Sequence, residues 1–226
     1  MKTNVNIAID GPGGAGKSTV ARALSQKLGY IYVDTGAMYR TIGLFAFEND
    51  IDPHNEPAIK ARLSEIDLSI KWKDGTQHIF LGERDVSGDI RTPTMSMYAS
   101  AVSALPSVRE FLLETQRSFA KTNNVIMDGR DIGTVILPCA QVKIFMIANV
   151  EVRAKRRYEE LCQKGSKVSY QEVLDDMIER DTNDSTRKTA PCVPAQDAVV
   201  LDTSLLSFEQ VVEKCIEIIN QKVGQV

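Results

Sequence analysis

The stretch Val5–Ser18, V-N-I-A-I-D-G-P-G-G-A-G-K-S, constrains this chain more than any other. Gly11-x-x-x-x-Gly16-Lys17-Ser18 fills every fixed position of the P-loop pattern. Val5, Ile7 and Ile9 alternate before it as a strand would. Val20, Ala21, Leu24 and Leu28 then share one face of a helix expected over 18–28, which Gly29 can close. Strand, glycine-rich turn and helix N-terminus form the context in which the pattern has chemical meaning. Glycines let the backbone wrap closely so that its N–H groups converge on an anion, and the helix dipole adds partial positive charge at the same spot. The sequence therefore predicts a nucleoside triphosphate site built from Gly11, Pro12, Gly13, Gly14, Ala15, Gly16, Lys17, Ser18 and Thr19. Lys17 is expected to reach the β- and γ-phosphates and Ser18 to ligate Mg²⁺. The plainer alternative is a glycine-rich βα turn without a ligand, which does not require the full pattern in its full context.

At 226 residues the chain has length for one ample core with insertions. A net charge of −3 gives no overall pull toward nucleic acid or an anionic membrane. No aromatic interleaves the basic run at 153–157, which argues against a nucleic-acid groove. Cys139, Cys162, Cys192 and Cys215 lie far apart with no C-x-x-C, a distribution that disfavours a zinc site and suits a reducing cytosol. His54 and His78 fall in polar surroundings, so histidine catalysis is not expected. M-K-T-N-V-N leads into the first strand without a signal-peptide pattern, and no apolar run approaches the roughly 18 residues a bilayer span needs. A cytoplasmic protein is the expectation.

Strand and helix alternate along the chain. Strands are expected at 30–33, 125–128, 142–147 and 198–201, and helices at 39–47, 58–63, 94–104, 107–121, 150–163, 169–182 and 207–223. Capping boxes at Ser169-x-x-Glu172 and Ser207-x-x-Gln210 open two of these helices. Runs at 67–72 and 77–81 around Asp74-Gly75 read as a β-hairpin that interrupts the alternation. The fold class that follows is α/β: a P-loop nucleoside triphosphate hydrolase-like parallel sheet with helices on both faces and ligands at the carboxyl ends of its strands.

Chemistry gathers at those ends. Asp128 terminates an apolar strand, where P-loop enzymes place the Mg²⁺ shell, so Asp128 joins Ser18 as a metal candidate; the alternative is a loop aspartate capping the next turn. Arg130 lies two residues on and can aim a bidentate guanidinium at phosphate. Arg153 and Arg157 share a helix face, either solvated beside Glu151, Glu159 and Glu160 or part of a lid closing on transferring phosphate. Arg180, Asp184 and Arg187 share a face if helical geometry persists that far.

D-G-P-G-G-A-G-K-S, D-T-G-A-M-Y-R (34–40), V-S-G-D-I-R-T (86–92), D-G-R-D-I-G-T-V (128–135) and the Arg180–Arg187 segment resemble, in order, the bacterial cytidylate kinases. The resemblance implies a nucleoside monophosphate kinase: a P-loop core, a nucleoside monophosphate (NMP)-binding subdomain over about 35–100 carrying the hairpin, and a short helical lid over about 150–190. It implies transfer of the ATP γ-phosphoryl group to CMP or dCMP with Mg²⁺, by a monomer. Lys17, Arg130, Arg153 and Arg157 would act on the transferring group. Arg40, Arg130 and Arg187 would hold the CMP phosphate with Arg180 nearby, Asp184 and Thr35 would contact the nucleotide (Asp184 at the sugar hydroxyls), and Ser100, Arg109 and Asp131 would read cytosine. Serine is common in the family where Thr35 stands, and the hydroxyl is kept. A kinase for another phosphorylated acceptor such as UMP is the alternative. A regulatory GTPase would need an N-K-x-D segment, which is absent; Asp85-Val-Ser-Gly88 follows the hairpin rather than a core strand.

Overall fold

The computed structural model describes residues 4–73, 76–163 and 165–224. In chain order, β1 (Asn6–Asp10) runs into the P-loop and α1 (Lys17–Leu28), followed by β2 (Ile31–Asp34) and α2 (Thr35–Glu48). Then come α3 (Glu56–Arg62), the strands β3 (Leu68–Lys73), β4 (Thr76–Leu81) and β5 (Arg84–Asp85), and helices α4 (Pro93–Ser103) and α5 (Pro106–Thr122). β6 (Val125–Asp128), β7 (Val142–Ile147), α6 (Val150–Gln163), α7 (Tyr170–Thr186), β8 (Val199–Asp202) and α8 (Phe208–Val223) complete the chain.

Five strands form one parallel sheet in the order β2-β6-β1-β7-β8. Its strands are apolar on both faces because helices cover both. Ile7, Ile9, Ile126, Ile144 and Met146 pack with Val20, Ala21 and Leu24 of α1 and Val211, Cys215 and Ile219 of α8. Ala8, Val33, Val125 and Met127 face the other way, against α2, α4 and α5. Each fully buried branched side chain contributes about 1.5–3 kcal/mol, so this two-sided core fixes where the strand ends lie.

The β3-β4-β5 sheet is antiparallel and docks on the outer edge of β2. Trp72 donates its indole N–H to the Tyr32 carbonyl at 3.1 Å, and the Gln77 side-chain oxygen accepts from the Asp34 N–H at 2.8 Å. An edge strand is thereby covered by side chains. The turn expected at Asp74-Gly75 lies outside the described residues. Helices α6 and α7 pair through Ala154, Leu161 and Val173, with Tyr158 and Tyr170 edge to face.

Boundaries differ from expectation at two informative places. Helix α2 begins at Thr35 rather than near 39, because the Asp34 side chain accepts from the Ala37 N–H and caps it. Helix α7 runs to Thr186 rather than 182, so Arg180 and Asp184 share it and Arg187 is the first residue beyond. A π-helical turn at Ile132–Ile136 has no counterpart in the sequence reading. Among the described residues no helix is long and apolar enough to cross a membrane.

Candidate active site

The carboxyl ends of β1, β2, β6 and β7 surround the P-loop. At Gly11 the φ angle is +136° and the backbone lies so close to the Met146 carbonyl that no side chain fits. At Gly14 the φ angle is +74°, and an added Cβ would lie 2.8 Å from the Met177 methyl of α7. The loop is thus enclosed by β7 on one side and by the α6–α7 pair on the other. Helix α1 opens with no side-chain cap, leaving the positive end of its dipole facing the cradle.

Lys17 is buried and donates from Nζ to the Pro12 carbonyl at 2.6 Å. Burial, with repulsion from Arg130 behind it, brings the Lys17 ammonium down to about 7. The Ser18 hydroxyl donates to Asp128 Oδ2 at 2.7 Å, while the Tyr32 hydroxyl donates to Oδ1 at 2.9 Å. Thr35 donates its hydroxyl to the Asp128 carbonyl at 2.8 Å. Burial, reinforced by neighbouring Asp34, holds the Asp128 carboxyl above its ordinary range.

The predicted arginines divide into groups. Arg130 donates from Nε to Asp184 at 2.9 Å, and Arg180 lies 4.0 Å from the same carboxylate. An atom on Gly13 in the Cβ position would sit 3.5 Å from Arg130 Nη2 and 3.9 Å from Arg180 Nη1, so both cations border the P-loop. Burial and repulsion from Arg130 lower the Arg180 guanidinium to about 10. Burial works against an ionised Asp184, but Arg130 and Arg180 beside it hold its carboxyl below the usual range. Arg187 lies 3.9 Å from both Asp131 and Asp184 and donates to the Ser103 hydroxyl at 3.1 Å. Arg109 is buried, donates to Asp131 and to the Ser103 carbonyl, and stacks over the Tyr39 ring at 5.7 Å. Arg40 pairs with Asp34 at 3.1 Å, and Arg91 shares that carboxylate at the same distance.

The basic face of α6 splits. Arg153 is only 4% exposed; it donates to the Ala148 carbonyl at 2.8 Å and the Gly13 carbonyl at 2.9 Å, and lies 2.6 Å from Asp181 of α7. The solvated reading does not describe Arg153, which ties the P-loop to both helices. Arg157 is half-buried and pairs with Glu160 at 2.8 Å.

Arg130, Arg180, Asp184, Arg187, Asp131 and Arg109 are therefore joined in one network, while Ser18 meets Asp128 and Lys17 holds the Pro12 carbonyl in the adjoining loop. Thr35 also meets Asp128, at its carbonyl, and Arg40 lies beside Asp34 at the start of α2. Ser100 sits on α4 with its carbonyl accepting from the Ser103 hydroxyl at 2.9 Å. Ser103, one turn further, is the serine that touches both Arg109 and Arg187. Sequence reasoning missed Ser103, Tyr32 and Arg91. Only the i, i+3 spacing of Ser103 from Ser100 and the place of Arg91 in V-S-G-D-I-R-T carried any signal.

A parallel sheet, a complete P-loop and a buried arginine–aspartate network beside it define a P-loop kinase. A shikimate kinase structure from Bacteroides thetaiotaomicron shares the fold, with TM-score 0.50, 13% identity and coverage of 96% of this chain and 98% of that one. The family model for cytidylate kinase matches residues 7–221, and the chain belongs to that family. The cytidylate kinase of Caldicellulosiruptor bescii is 52% identical over 95% of each chain. That of Carboxydothermus hydrogenoformans is 50% identical over 96% of this chain and 98% of its own.

Proposed function

We infer that this chain transfers the γ-phosphoryl group of ATP to CMP, and to dCMP, giving CDP and dCDP. The observation that carries the acceptor assignment is the buried Arg109–Asp131 pair, which Arg187 links to Asp184 and so to Arg130 and Arg180 at the P-loop. Cytosine offers an amino donor at N4 and acceptors at N3 and O2, which match a carboxylate and a guanidinium. Uracil reverses two of those groups and would leave buried partners unpaired, a strong basis for rejection.

In this reading the P-loop amides and Lys17 bind the donor phosphates. Lys17 has a backbone carbonyl as its hydrogen-bond partner, so an anion arriving in the loop restores the charge that burial suppresses. Arg40, Arg130 and Arg187 align the acceptor phosphate with Arg180 alongside, while Asp184 takes the sugar hydroxyls and Ser100 joins the base contacts. Thr35 keeps its oxygen lone pairs for the nucleotide while donating to Asp128. Arg153 holds the Gly13 carbonyl, and closure of the 150–190 lid would bring Arg157 toward the transferring group and exclude water. An acceptor phosphate is already ionised near neutral pH, so the reaction is positioning plus charge stabilisation.

Ser18 and Asp128 supply hard oxygen donors 2.7 Å apart, and among the described residues no cluster of three or more His, Cys, Asp or Glu suits a metal. That donor set fits Mg²⁺, which takes one or two protein oxygens and completes its shell with phosphate and water. When bound with ATP, Mg²⁺ supplies charge neutralisation at the phosphate oxygens. We propose a cytoplasmic monomer with no nucleic-acid or membrane partner, organised as one domain in which 35–100 binds the monophosphate. Asp131→Ala tests the acceptor reading. The expected result is CMP efficiency reduced by roughly 10²-fold with ATP binding kept; wild-type CMP kinetics would remove the cytosine assignment.

A further inference from the structure

Asp10 lies immediately before the P-loop, at the carboxyl end of β1, and is 5% exposed. Its side chain takes no part in the cradle. Oδ1 accepts from the Ile132 N–H at 2.8 Å and Oδ2 from the Gly133 N–H at 2.7 Å. Those N–H groups belong to the start of the π-helical turn Ile132–Ile136, whose preceding residue is Asp131. At the other end of the turn, Arg117 of α5 donates to the Val135 and Ile136 carbonyls, each at 3.0 Å. The turn carrying the base-facing carboxylate is therefore gripped at both ends by side chains from other elements. A π turn has poor intrinsic stability and is set by its surroundings.

We propose that Asp10 is a positioning residue for acceptor recognition: its carboxylate locks the turn bearing Asp131 to the strand that carries the P-loop, so that base reader and phosphate cradle share one register. The proposal rests on the reading of Asp131 as a cytosine contact. Two carboxylate oxygens meet two backbone donors, an arrangement that fixes distance and rotation together. Asparagine can accept at only one of the two positions, and its amide nitrogen faces the other N–H. The strand leading into the P-loop is held independently, through the parallel pairing of β1 with β6 and β7, and the loop itself by Arg153 at the Gly13 carbonyl. Loss of the Asp10 grip should consequently reach the acceptor and spare the donor.

The test compares steady-state kinetics of Asp10→Asn, Gly133→Ala and Asp131→Ala on CMP and UMP, with ATP affinity and thermal midpoint measured for each. Gly133→Ala probes the same contact from the opposite side, since its Cβ would lie 3.4 Å from Asp10 Oδ2 and 3.1 Å from the Lys143 side chain. Expected for Asp10→Asn is a roughly tenfold rise in KM for CMP and a similar loss of CMP-over-UMP preference, with ATP affinity within about twofold of wild type. Gly133→Ala should shift both in the same direction, more weakly, and decides the matter alone if Asp10→Asn does not fold. Unchanged CMP KM and preference in these variants, with preference lost in Asp131→Ala, would overturn the role of Asp10 and keep the base reading. Preference retained in Asp131→Ala would overturn both. A fall in thermal midpoint with ATP and CMP affected equally would reduce Asp10 to a structural acid.

Discussion

Lys17 sits buried against a backbone carbonyl, with Arg130 close enough to repel it. If Lys17 binds the donor phosphates as proposed, Lys17→Ala should lower kcat by on the order of 10³, read as ADP release, while leaving the fold intact. Full activity would undo the P-loop argument. Arg187 faces two carboxylates and Ser103 rather than solvent, and Arg187→Ala should reduce kcat/KM for CMP roughly 10–100-fold with ATP affinity kept. Asp10 supplies a pH signature. Burial outweighs its two backbone hydrogen bonds and raises its carboxyl to about 7, with Asp131 adding to the rise and Lys17 opposing it. A raised acid favours the folded state below the unfolded value and loses that contribution as pH climbs through the folded one. Between about pH 4 and 7, wild type should therefore lose stability relative to Asp10→Asn, by up to a few kcal/mol in denaturant titrations. A constant difference across that range would show that the Asp10 carboxyl is not raised in the folded chain. Lys17, Ser18 and Asp128 were legible because their spacing to glycines and strand ends is local. Asp10, Tyr32 and Ser103 were not, since their partners lie 122, 96 and 84 residues away.

Elements show the same division. The parallel strands and the capped helices α7 and α8 followed from apolar runs and from Ser169 and Ser207, both of which form reciprocal capping boxes. The start of α2 was missed because Asp34 read as a strand end, whereas its side chain also caps the next helix. The Ile132–Ile136 turn was unreadable because its geometry is imposed by Asp10 and Arg117 rather than by its own residues. Helix α1 ends at Gly29, whose φ is +68° with open space around it. Gly29→Ala should cost about 1 kcal/mol in unfolding free energy and leave kcat unchanged, because the penalty is confined to a left-handed cap far from the cradle. An unchanged thermal midpoint would show that the cap contributes nothing.

Across the whole molecule, the proposed acceptor site would draw on α2, α4, α5, the loop after β6 and the end of α7, whereas the P-loop proposed for the donor is one continuous segment. The P-loop was therefore visible as a motif, whereas Ser100, Arg109 and Asp131 became candidates only through family resemblance. Arg40, Arg109, Arg130 and Arg187 are each held by an aspartate, which in the proposed reading the substrate would share or replace. The central claim is cytidylate phosphorylation, and its most direct measurement is ADP release with Mg·ATP and CMP, dCMP, UMP, AMP, GMP or no acceptor. Rapid turnover on CMP and dCMP, with little on UMP or the purines, is expected. Preference for another monophosphate, or ADP release without any acceptor, would contradict it.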